Sequence, residues 1–176
     1  MPVSLDKVRF LIVDDNVHML NIVKAILRGF GADKVHEAKN LDDALTCLRE
    51  NAVDIMVLDY LMGEEDGVAL LQRLRRDPKS PAPFLPVIML TSHSEKSRVE
   101  AARDAGATEF CAKPVTANEL MRKIAAVIDN PRAFIRTQTY VGPDRRRRDD
   151  PEYQGPERRA DRAAAQTPAT DRTQGQ

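Results

Sequence analysis

The chain contains 176 residues, and its 27 Lys+Arg residues balance its 27 Asp+Glu residues to a formal net charge of zero. This length leaves room for one ordinary domain and an appendage. No apolar run reaches the about 20 residues of a membrane-spanning helix, and the N-terminus lacks a signal-peptide pattern, so we expect a cytoplasmic protein. The two cysteines and three histidines are scattered, which argues against a disulfide framework or a zinc site.

Residues 8–128 alternate between strand-like and helix-like segments. The first strand is the apolar run VRFLIVDD (residues 8–15), which is typical of a strand buried on both faces. Asn16 then caps a helix whose apolar stripe extends from Val17 to Leu27. Further strands are predicted over residues 34–38, 53–59, 85–92 and 108–113, and further helices after Asn40, over residues 67–76 and 95–105, and from Thr116. Five such units predict a parallel sheet with helices on both faces.

The apolar periodicity ends near residue 130. Residues 131–176 contain ten arginines, seven acidic residues, five prolines and no lysine, a composition typical of disordered chains. We therefore predict a folded domain over residues 1–130 and a tail over residues 131–176 that is disordered without a ligand. Within this tail the pattern Tyr-x-Gly-Pro-acid-Arg-Arg occurs twice, beginning at Tyr140 and at Tyr153.

Five polar residues follow the predicted strands. Asp14 and Asp15 end the first strand, Asp59 the third, Thr91 the fourth and Lys113 the fifth. Because ligands of open α/β sheets bind beyond the carboxyl ends of the strands, we expect these side chains to meet. Converging carboxylates favour Mg²⁺, the lysine and threonine can bind phosphate oxygens, and a carboxylate can form an aspartyl-phosphate. Each residue alone is better explained as a turn former, a helix cap or a solvated loop residue, but together they predict a phosphoryl site.

Five motifs resemble those of CheY-like receiver domains in the response-regulator family: VDD (13–15), VLDYLMGEEDG (57–67), MLTS (89–92), AGATEF (105–110) and KP (113–114). The resemblance covers residues 8–128. It implies a flavodoxin-like, doubly wound sheet of five parallel strands in the order 2-1-3-4-5. It also implies a role in two-component signalling, of which chemotaxis is one setting.

The resemblance further implies how phosphate and metal are held. Asp59 would accept a phosphoryl group from a phosphohistidine on a histidine kinase or phosphotransfer protein. Asp15, Asp59 and the Leu61 carbonyl would bind Mg²⁺ directly, and Asp14 would act through water. Lys113 would neutralise phosphoryl oxygens.

The same resemblance implies a conformational switch. The Lys113–Pro114 bond would be cis. Thr91 would move toward the phosphoryl group and let Phe110 turn inward. This movement would reshape the surface of the fourth helix, fifth strand and fifth helix, on which a target protein docks.

Two positions after the phosphoacceptor and one after the fourth strand affect the chemistry of the phosphoryl group. Gly63 stands where the family commonly has proline, which predicts a looser loop after Asp59. Leu61 and His93 occupy positions that tune the access of water, so the lifetime of the phosphate does not follow from the sequence. Every required group is present, and we expect a receiver that phosphorylates itself without turning over an external substrate; a degenerate receiver is the alternative.

Three interpretations of the tail compete. A solvated linker leaves the repeat unexplained, and phosphate contacts to nucleic acid would be weakened by the interspersed acids. The third interpretation uses both charges, because arginine can pair with guanine N7 and O6 and a carboxylate can accept from guanine N1 and N2. Arginine and tyrosine can also stack on purines. Cyclic di-GMP offers several guanines and phosphates together.

The tail is similar to that of CheY-like proteins whose Arg-rich extensions bind cyclic di-GMP and act on the flagellar motor. The matching segments are GPDRRRR (142–148) and GPERR (155–159). The resulting hypothesis assigns nucleotide binding to Arg136, Tyr140, Asp144, Arg145, Arg146, Arg147, Arg148, Tyr153, Arg158 and Arg159. The tail is too short and too polar for a DNA-binding domain.

Three functions follow from these predictions. The first is a phosphorylation switch that docks on a target protein, with the flagellar motor switch as one candidate. The second is a cyclic di-GMP effector in which phosphorylation is secondary. The third is a phosphate sink for a histidine kinase, which needs no target.

Overall fold

The computed structural model describes residues 4–63, 65–92 and 96–145. The chain divides into two units, Met1–Asp144 and Arg145–Gln176, and all elements below belong to the first. The hypothesis for Arg146, Arg147, Arg148, Tyr153, Arg158 and Arg159 falls outside the described residues and stays a prediction. None of the helices in these described ranges is long and apolar enough to cross a membrane.

The first unit is an α/β fold around a parallel sheet. Its elements, in chain order, are β1 (Arg9–Val13), α1 (Val17–Gly29), β2 (Lys34–Ala38), α2 (Leu41–Glu50), β3 (Ile55–Asp59), β4 (Leu61–Met62), β5 (Glu65–Asp66), α3 (Gly67–Arg76), β6 (Val87–Ser92), α4 (Lys96–Ala105), β7 (Glu109–Lys113), α5 (Ala117–Asp129), β8 (Phe134–Arg136) and β9 (Val141–Pro143). The main sheet has the order β2-β1-β3-β6-β7 with all neighbours parallel. The predicted fold and order are confirmed; the predicted fourth and fifth strands are β6 and β7 because β4 and β5 intervene.

Two hydrophobic cores cover the two faces of the sheet. Successive side chains of a strand point to opposite faces, so Leu11 and Val13 of β1 join a core with α2, α3 and α4, while Phe10 and Ile12 join a core with α1 and α5. The continuous apolar sequence of β1 and β3 follows from this double burial.

The predicted helix caps are confirmed. The Asn16 side chain accepts from the His18 amide at 2.9 Å, and the Asn40 side chain accepts from the Asp43 amide at 2.8 Å. The Thr116 hydroxyl accepts from the Glu119 amide at 3.3 Å. These caps start the helices where each strand has ended, and so position the strand ends for the site described below.

The folded part continues past the predicted boundary at residue 130. After α5, strands β8 and β9 form an antiparallel hairpin with Ile135 opposite Gly142, and Tyr140 and Val141 are buried. The prediction of disorder from residue 131 therefore does not hold for residues 134–143. The polar composition concealed these strands, because most of their stabilising contacts use backbone atoms that the side-chain pattern does not report. No DNA-binding domain follows the sheet within the described residues.

Candidate functional site

The sheet register gathers the predicted polar residues at one edge. In the parallel pairs, Val13 lies opposite Leu58, Asp59 opposite Leu90, and Ser92 opposite Lys113. The first, third, fourth and fifth predicted strands therefore end at about the same level. Asp14 and Asp15 follow β1, Asp59 and Lys113 are the last residues of β3 and β7, and Thr91 lies one residue before the end of β6. These residues therefore lie at the carboxyl edge of the sheet, where open α/β sheets bind ligands.

Three carboxylates and one ammonium group meet at this edge. Ligand oxygens of Asp14, Asp15 and Asp59 all lie within 4.8 Å of one another. The Lys113 Nζ atom lies 2.8 Å from Asp59 Oδ1 and 3.6 Å from Asp14 Oδ2. Asp14 and Asp59 are buried, whereas Asp15 is exposed. The site is therefore open to solvent at Asp15.

Asp14 is held in place by the start of α1 but is not fully satisfied. Its Oδ1 accepts from the Asn16 amide at 2.8 Å, while its buried Oδ2 accepts no hydrogen bond within the described part of the chain. Burial raises the pKa of Asp14; the Asn16 amide opposes this, and the nearby Asp59 charge adds to the rise. A buried, unsatisfied carboxylate oxygen beside two further carboxylates fits a hard divalent cation, so these three residues suit Mg²⁺.

The loop after Asp59 is paired. Leu61 lies opposite Asp66 and Met62 opposite Glu65 in the β4–β5 hairpin, and the looser loop stays a prediction. Gly63 has a φ of +60°, a conformation closed to proline, whose φ is held near −65°. The glycine therefore permits a turn that a proline would prevent.

Gly67 anchors the far end of this loop against Asp59. Its amide donates to the Tyr60 carbonyl at 2.9 Å, and an added Cβ would lie 2.1 Å from the Asp59 carbonyl oxygen. Only glycine fits so close to the backbone of Asp59. The glycine of the DG motif at residues 66–67 is therefore required for steric reasons in this fold.

The two predicted switch residues, Thr91 and Phe110, lie on the neighbouring strands β6 and β7. Thr91 is buried and lies opposite Ala112 in the sheet, and Phe110 is half-buried against the core beside α4. The Lys113–Pro114 peptide bond is cis, as predicted. The structure also places the Arg98 guanidinium of α4 5.7 Å from the Tyr60 ring centroid, a contact between α4 and the residue after Asp59 that no sequence motif signals.

The first copy of the tail repeat forms part of the hairpin. Tyr140 is buried, and its hydroxyl donates to the Pro143 carbonyl at 2.8 Å. The Asp144 amide donates to the Ala133 carbonyl at 2.7 Å. Arg136 is exposed, and Arg145, the first residue of the second unit, is half-buried. The structure therefore gives Tyr140 a packing role that the nucleotide-binding hypothesis did not anticipate.

A model of the response regulator receiver domain matches residues 10–125. The chain belongs to the response regulator receiver family. Members of this family act in two-component signalling with histidine kinases or phosphotransfer proteins, and receiver domains generally use Mg²⁺ at an acidic pocket such as the one described above. The matched residues include Asp14, Asp15, Asp59, Thr91 and Lys113.

Individual relatives agree with this assignment. The receiver is 33% identical over 121 residues to chemotaxis protein CheY-3 of Vibrio cholerae, covering 69% of this chain and 92% of that protein. A putative response regulator from Chloroflexus aurantiacus is 30% identical with a TM-score of 0.63, covering 70% of this chain and all of that one. Vibrio cholerae CheY4 shares the fold, with a TM-score of 0.62 at 24% identity, 68% of this chain and 98% of that one.

Proposed function

We propose that this receiver is a phosphorylation-driven switch with Asp59 as its phosphoacceptor. The observation that carries the proposal is the 2.8 Å contact between Lys113 and Asp59 beside Asp14 and Asp15. The Lys113 ammonium group already balances part of the negative charge of the three carboxylates. A transferred phosphoryl group would bring more negative charge to the same place. The site thus combines a nucleophile with groups that stabilise the developing charge.

Phosphoryl transfer follows from these positions. A carboxylate oxygen of Asp59 donates an electron pair to phosphorus, the N–P bond of a phosphohistidine breaks, and its electrons return to the imidazole of the donor protein. Lys113 donates to phosphoryl oxygens as the bond forms. When bound by Asp14, Asp15 and Asp59, Mg²⁺ supplies further neutralisation of phosphoryl charge. The donor is a histidine kinase or phosphotransfer protein, and no external substrate is turned over.

The switch runs from Thr91 to the surface of α4, β7 and α5. Thr91 lies at the site end of β6, and Phe110 lies half-buried on the neighbouring β7. Attraction of the Thr91 hydroxyl to phosphate frees space that the Phe110 ring takes, and this surface then docks on a target protein. Chemotaxis is the setting that the likeness to chemotaxis protein CheY-3 supports, and the flagellar motor switch stays one candidate target.

An Asp59→Asn variant tests the phosphoacceptor. Incubation with radiolabelled acetyl phosphate and MgCl₂ is expected to label the wild-type protein and to leave this variant unlabelled. A Ser80→Ala variant, changed in the connection between α3 and β6, is the control and is expected to be labelled as the wild type is. Equal labelling of Asp59→Asn and wild type would refute the proposal.

A second candidate function is cyclic di-GMP binding by the tail, with phosphorylation secondary to it. The acid-Arg-Arg repeat and the exposed Arg136 support it. The burial of Tyr140 limits it, because that ring cannot stack on a guanine while it packs in the hairpin. A phosphate sink is the third candidate, and it requires only the phosphoacceptor site.

Calorimetry separates the tail function from the receiver function. The full chain is compared with a chain that ends at Asp144, which keeps the hairpin and removes the second unit. Binding heat with cyclic di-GMP only for the full chain would support a tail site. Negligible heat for both would exclude cyclic di-GMP as the ligand without affecting the Asp59 proposal.

A further inference from the structure

Helix α4 is held unevenly along its length. Its second half contributes the buried Ala102 and Ala105 to the core beside α3, and the turn that follows, residues 106–108, is buried as well. In its first half, residues 97 and 99–101 are exposed and Arg98 is half-buried. Because α4 joins the carboxyl end of β6 to the amino end of β7, the core fixes the end of the helix that is remote from the phosphoryl site.

A buried arginine of α3 holds the turn after α4. Arg75 is 1% exposed, and its guanidinium donates to the Gly106 carbonyl from Nε at 3.2 Å and from Nη2 at 3.0 Å. It also donates to the carbonyls of Pro83 and Leu85, at 2.8 and 2.7 Å, in the connection before β6. Hydrogen bonds from a charged donor are roughly twice as strong as those between neutral groups. Arg75 therefore fastens the C-terminal end of α4 to α3 and to the start of β6.

The hairpin of β8 and β9 covers the same turn from the other side. An added Cβ on Gly142 would lie 2.8 Å from the Gly106 Cα atom, and one on Gly106 would lie 2.7 Å from the Val141 carbonyl oxygen. Gly106 has a φ of +103°, a backbone conformation that glycine adopts at no steric cost. The backbones of β9 and of the turn are thus in direct contact, and the C-terminal end of α4 cannot shift toward β9 without displacing the hairpin.

Two further contacts hold the hairpin in this position. Arg132 donates to the Thr108 carbonyl at 3.2 Å and to the Asp144 carbonyl, so it links the turn after α4 to the residue after β9. The ring centroid of Phe134 in β8 lies 4.9 Å from the Arg75 guanidinium carbon, a distance at which a cation and an aromatic face attract each other. The hairpin is therefore fastened both to the turn and to the arginine that holds the turn.

The first half of α4 contacts the residue after the phosphoacceptor. The Arg98 guanidinium lies 5.7 Å from the Tyr60 ring centroid. The Tyr60 backbone is fixed on both sides, because its amide donates to the Leu90 carbonyl at 3.0 Å and its carbonyl accepts from the Gly67 amide at 2.9 Å. Since Tyr60 follows Asp59 directly, this contact places the first half of α4 one residue away from the phosphoacceptor.

We propose that Arg75 and the β8–β9 hairpin form a clamp that fixes the C-terminal end of α4, so that switching tilts the helix about Gly106 and displaces mainly its first half. The inference rests on the phosphorylation switch proposed above. Arg75 is a positioning residue in this clamp, because it contacts Gly106 and not the reacting atoms. The segment after α5 thereby decides which part of the α4 surface changes for a target protein.

A helix that tilts about one end moves in proportion to the distance from that end. At about 1.5 Å per residue, Ser97 lies about 14 Å along the helix from Gly106, and Arg103 lies about 4.5 Å from it. The displacement at Arg103 should therefore be about one third of the displacement at Ser97. A helix that slides as a whole would show equal displacements at the two positions, so the ratio of the two displacements tests the clamp directly.

Pseudocontact shifts in NMR spectra of the full chain measure this ratio. A lanthanide tag is attached to α1 through an Ala25→Cys substitution at an exposed position. Burial raises the pKa of the Cys47 and Cys111 thiols, so the tag reacts selectively at position 25. The α4 amides are located before and after addition of MgCl₂ and beryllofluoride, which mimics a phosphoryl group on a carboxylate. In the tagged chain we expect a ratio of about one third.

A substitution in the hairpin opens the clamp. In Gly142→Val the added side chain cannot fit against Gly106, and we expect the ratio to rise toward one. Gln138→Val, changed at an exposed position between β8 and β9, is the matched control and should keep the ratio of the tagged chain. The shifts of the β1 and β3 amides report whether a variant is folded. If Gly142→Val is unfolded, Phe134→Ala loosens the hairpin instead, with the same expected rise in the ratio.

The outcomes separate the clamp from the switch on which it rests. A ratio near one in the tagged chain would overturn the clamp, and so would an unchanged ratio in the folded hairpin variant. If no α4 amide moved in the tagged chain, the clamp and the switch would fail together. Labelling of the same chain with acetyl phosphate shows separately whether Asp59 accepts a phosphoryl group.

Discussion

The Nζ atom of Lys113 lies 2.8 Å from Oδ1 of Asp59, although the strands that carry them are not neighbours. Strand β6 separates β3 from β7 in the sheet, so the lysine side chain must cross the end of β6 to reach the carboxylate. It also lies 3.6 Å from Asp14 Oδ2. A single ammonium group therefore links the ends of three strands, and its charge is available to any phosphoryl group on Asp59.

Replacing the Lys113 ammonium group should have opposite effects on Mg²⁺ binding and on phosphoryl transfer. In Lys113→Met we expect phosphorylation of Asp59 to fall by about 100-fold or more, because a charge-stabilising donor is lost. We expect Mg²⁺ to bind about 3- to 10-fold more tightly, because a competing positive charge is removed from the carboxylates. Titration calorimetry with MgCl₂ and labelling with acetyl phosphate measure the two effects.

The exposed Lys79, in the connection after α3, offers a matched control. Lys79→Met should resemble the wild type in both measurements. Weaker Mg²⁺ binding in Lys113→Met would contradict the interpretation that this lysine and the metal share the same carboxylates.

Gly67 is expected to be intolerant of a methyl group. An added Cβ would lie 2.1 Å from the Asp59 carbonyl oxygen, so Gly67→Ala should lower the free energy of unfolding by about 2–4 kcal/mol. It should also slow labelling of Asp59, because the backbone of the phosphoacceptor must shift. Urea unfolding measures the stability.

Gly29 is the matched control for this substitution. It is the last residue of α1, and nothing lies within 4 Å of an added Cβ. Gly29→Ala should therefore raise the free energy of unfolding by about 0.5–1 kcal/mol through helix propensity. If Gly67→Ala and Gly29→Ala changed the free energy of unfolding equally, the close approach of Gly67 to the Asp59 carbonyl would be unimportant for stability.

Truncation should locate the boundary of the folded unit. A chain that ends at Asp144 keeps the hairpin, and we expect its stability to match the full chain. A chain that ends at Asn130 exposes Arg75 and Gly106 and loses the buried Tyr140 and Val141. Its free energy of unfolding should be lower by about 2–4 kcal/mol. Identical urea midpoints for the two truncations would place the boundary at residue 130 after all.

The Arg9–Asp54 ion pair should make a small, pH-dependent contribution to stability. The hydrogen bonds from Arg9 hold the pKa of Asp54 below its ordinary value. A carboxyl group with a lowered folded-state pKa stabilises the fold above its unfolded-state pKa, and the effect is lost as the pH falls through the folded-state pKa. The stability difference between wild type and Asp54→Asn should therefore shrink between pH 7 and pH 3.

Because both partners are more than a third exposed, water weakens this interaction and the difference should be small at every pH. Repeating the Asp54→Asn comparison in an Arg9→Met background isolates the pair. There the pH dependence should shrink but not vanish, because the Arg9 backbone amide still donates to Asp54 Oδ2 at 2.8 Å. A pH dependence as large as in the wild-type background would assign the effect to partners other than the Arg9 side chain.

The sequence predicted the receiver sheet well because its signals are local. The double burial of β1 appears as an unbroken apolar run, and the caps Asn16, Asn40 and Thr116 mark the helix starts within two or three residues of the bonds that they make. The site residues could be predicted for the same reason, since Asp59 and Lys113 follow recognisable strands and parallel strands end at a common edge.

The hairpin after α5 was not predictable from the same patterns. Its strands have three residues each, too short to show an alternating pattern. They are held by hydrogen bonds from Arg132 to the Thr108 and Asp144 carbonyls, by the Arg75 guanidinium against the Phe134 ring, and by the packing of Gly142 on Gly106. Residues far apart in the chain make these contacts. Arg75 likewise lies near the end of α3, and only the structure shows that it is buried, which lowers its pKa to about 10.

The sequence by itself therefore determined the fold class, the strand order through its family motifs, and the residues that converge on Asp59, because periodicity and strand ends encode them locally. The tertiary structure alone decided that the folded unit reaches Asp144, that Tyr140 packs in a hairpin, and that Gly106 and Gly142 must both lack side chains. The physical reason is that backbone hydrogen bonds and close backbone packing join distant segments without requiring a distinctive side chain in either one.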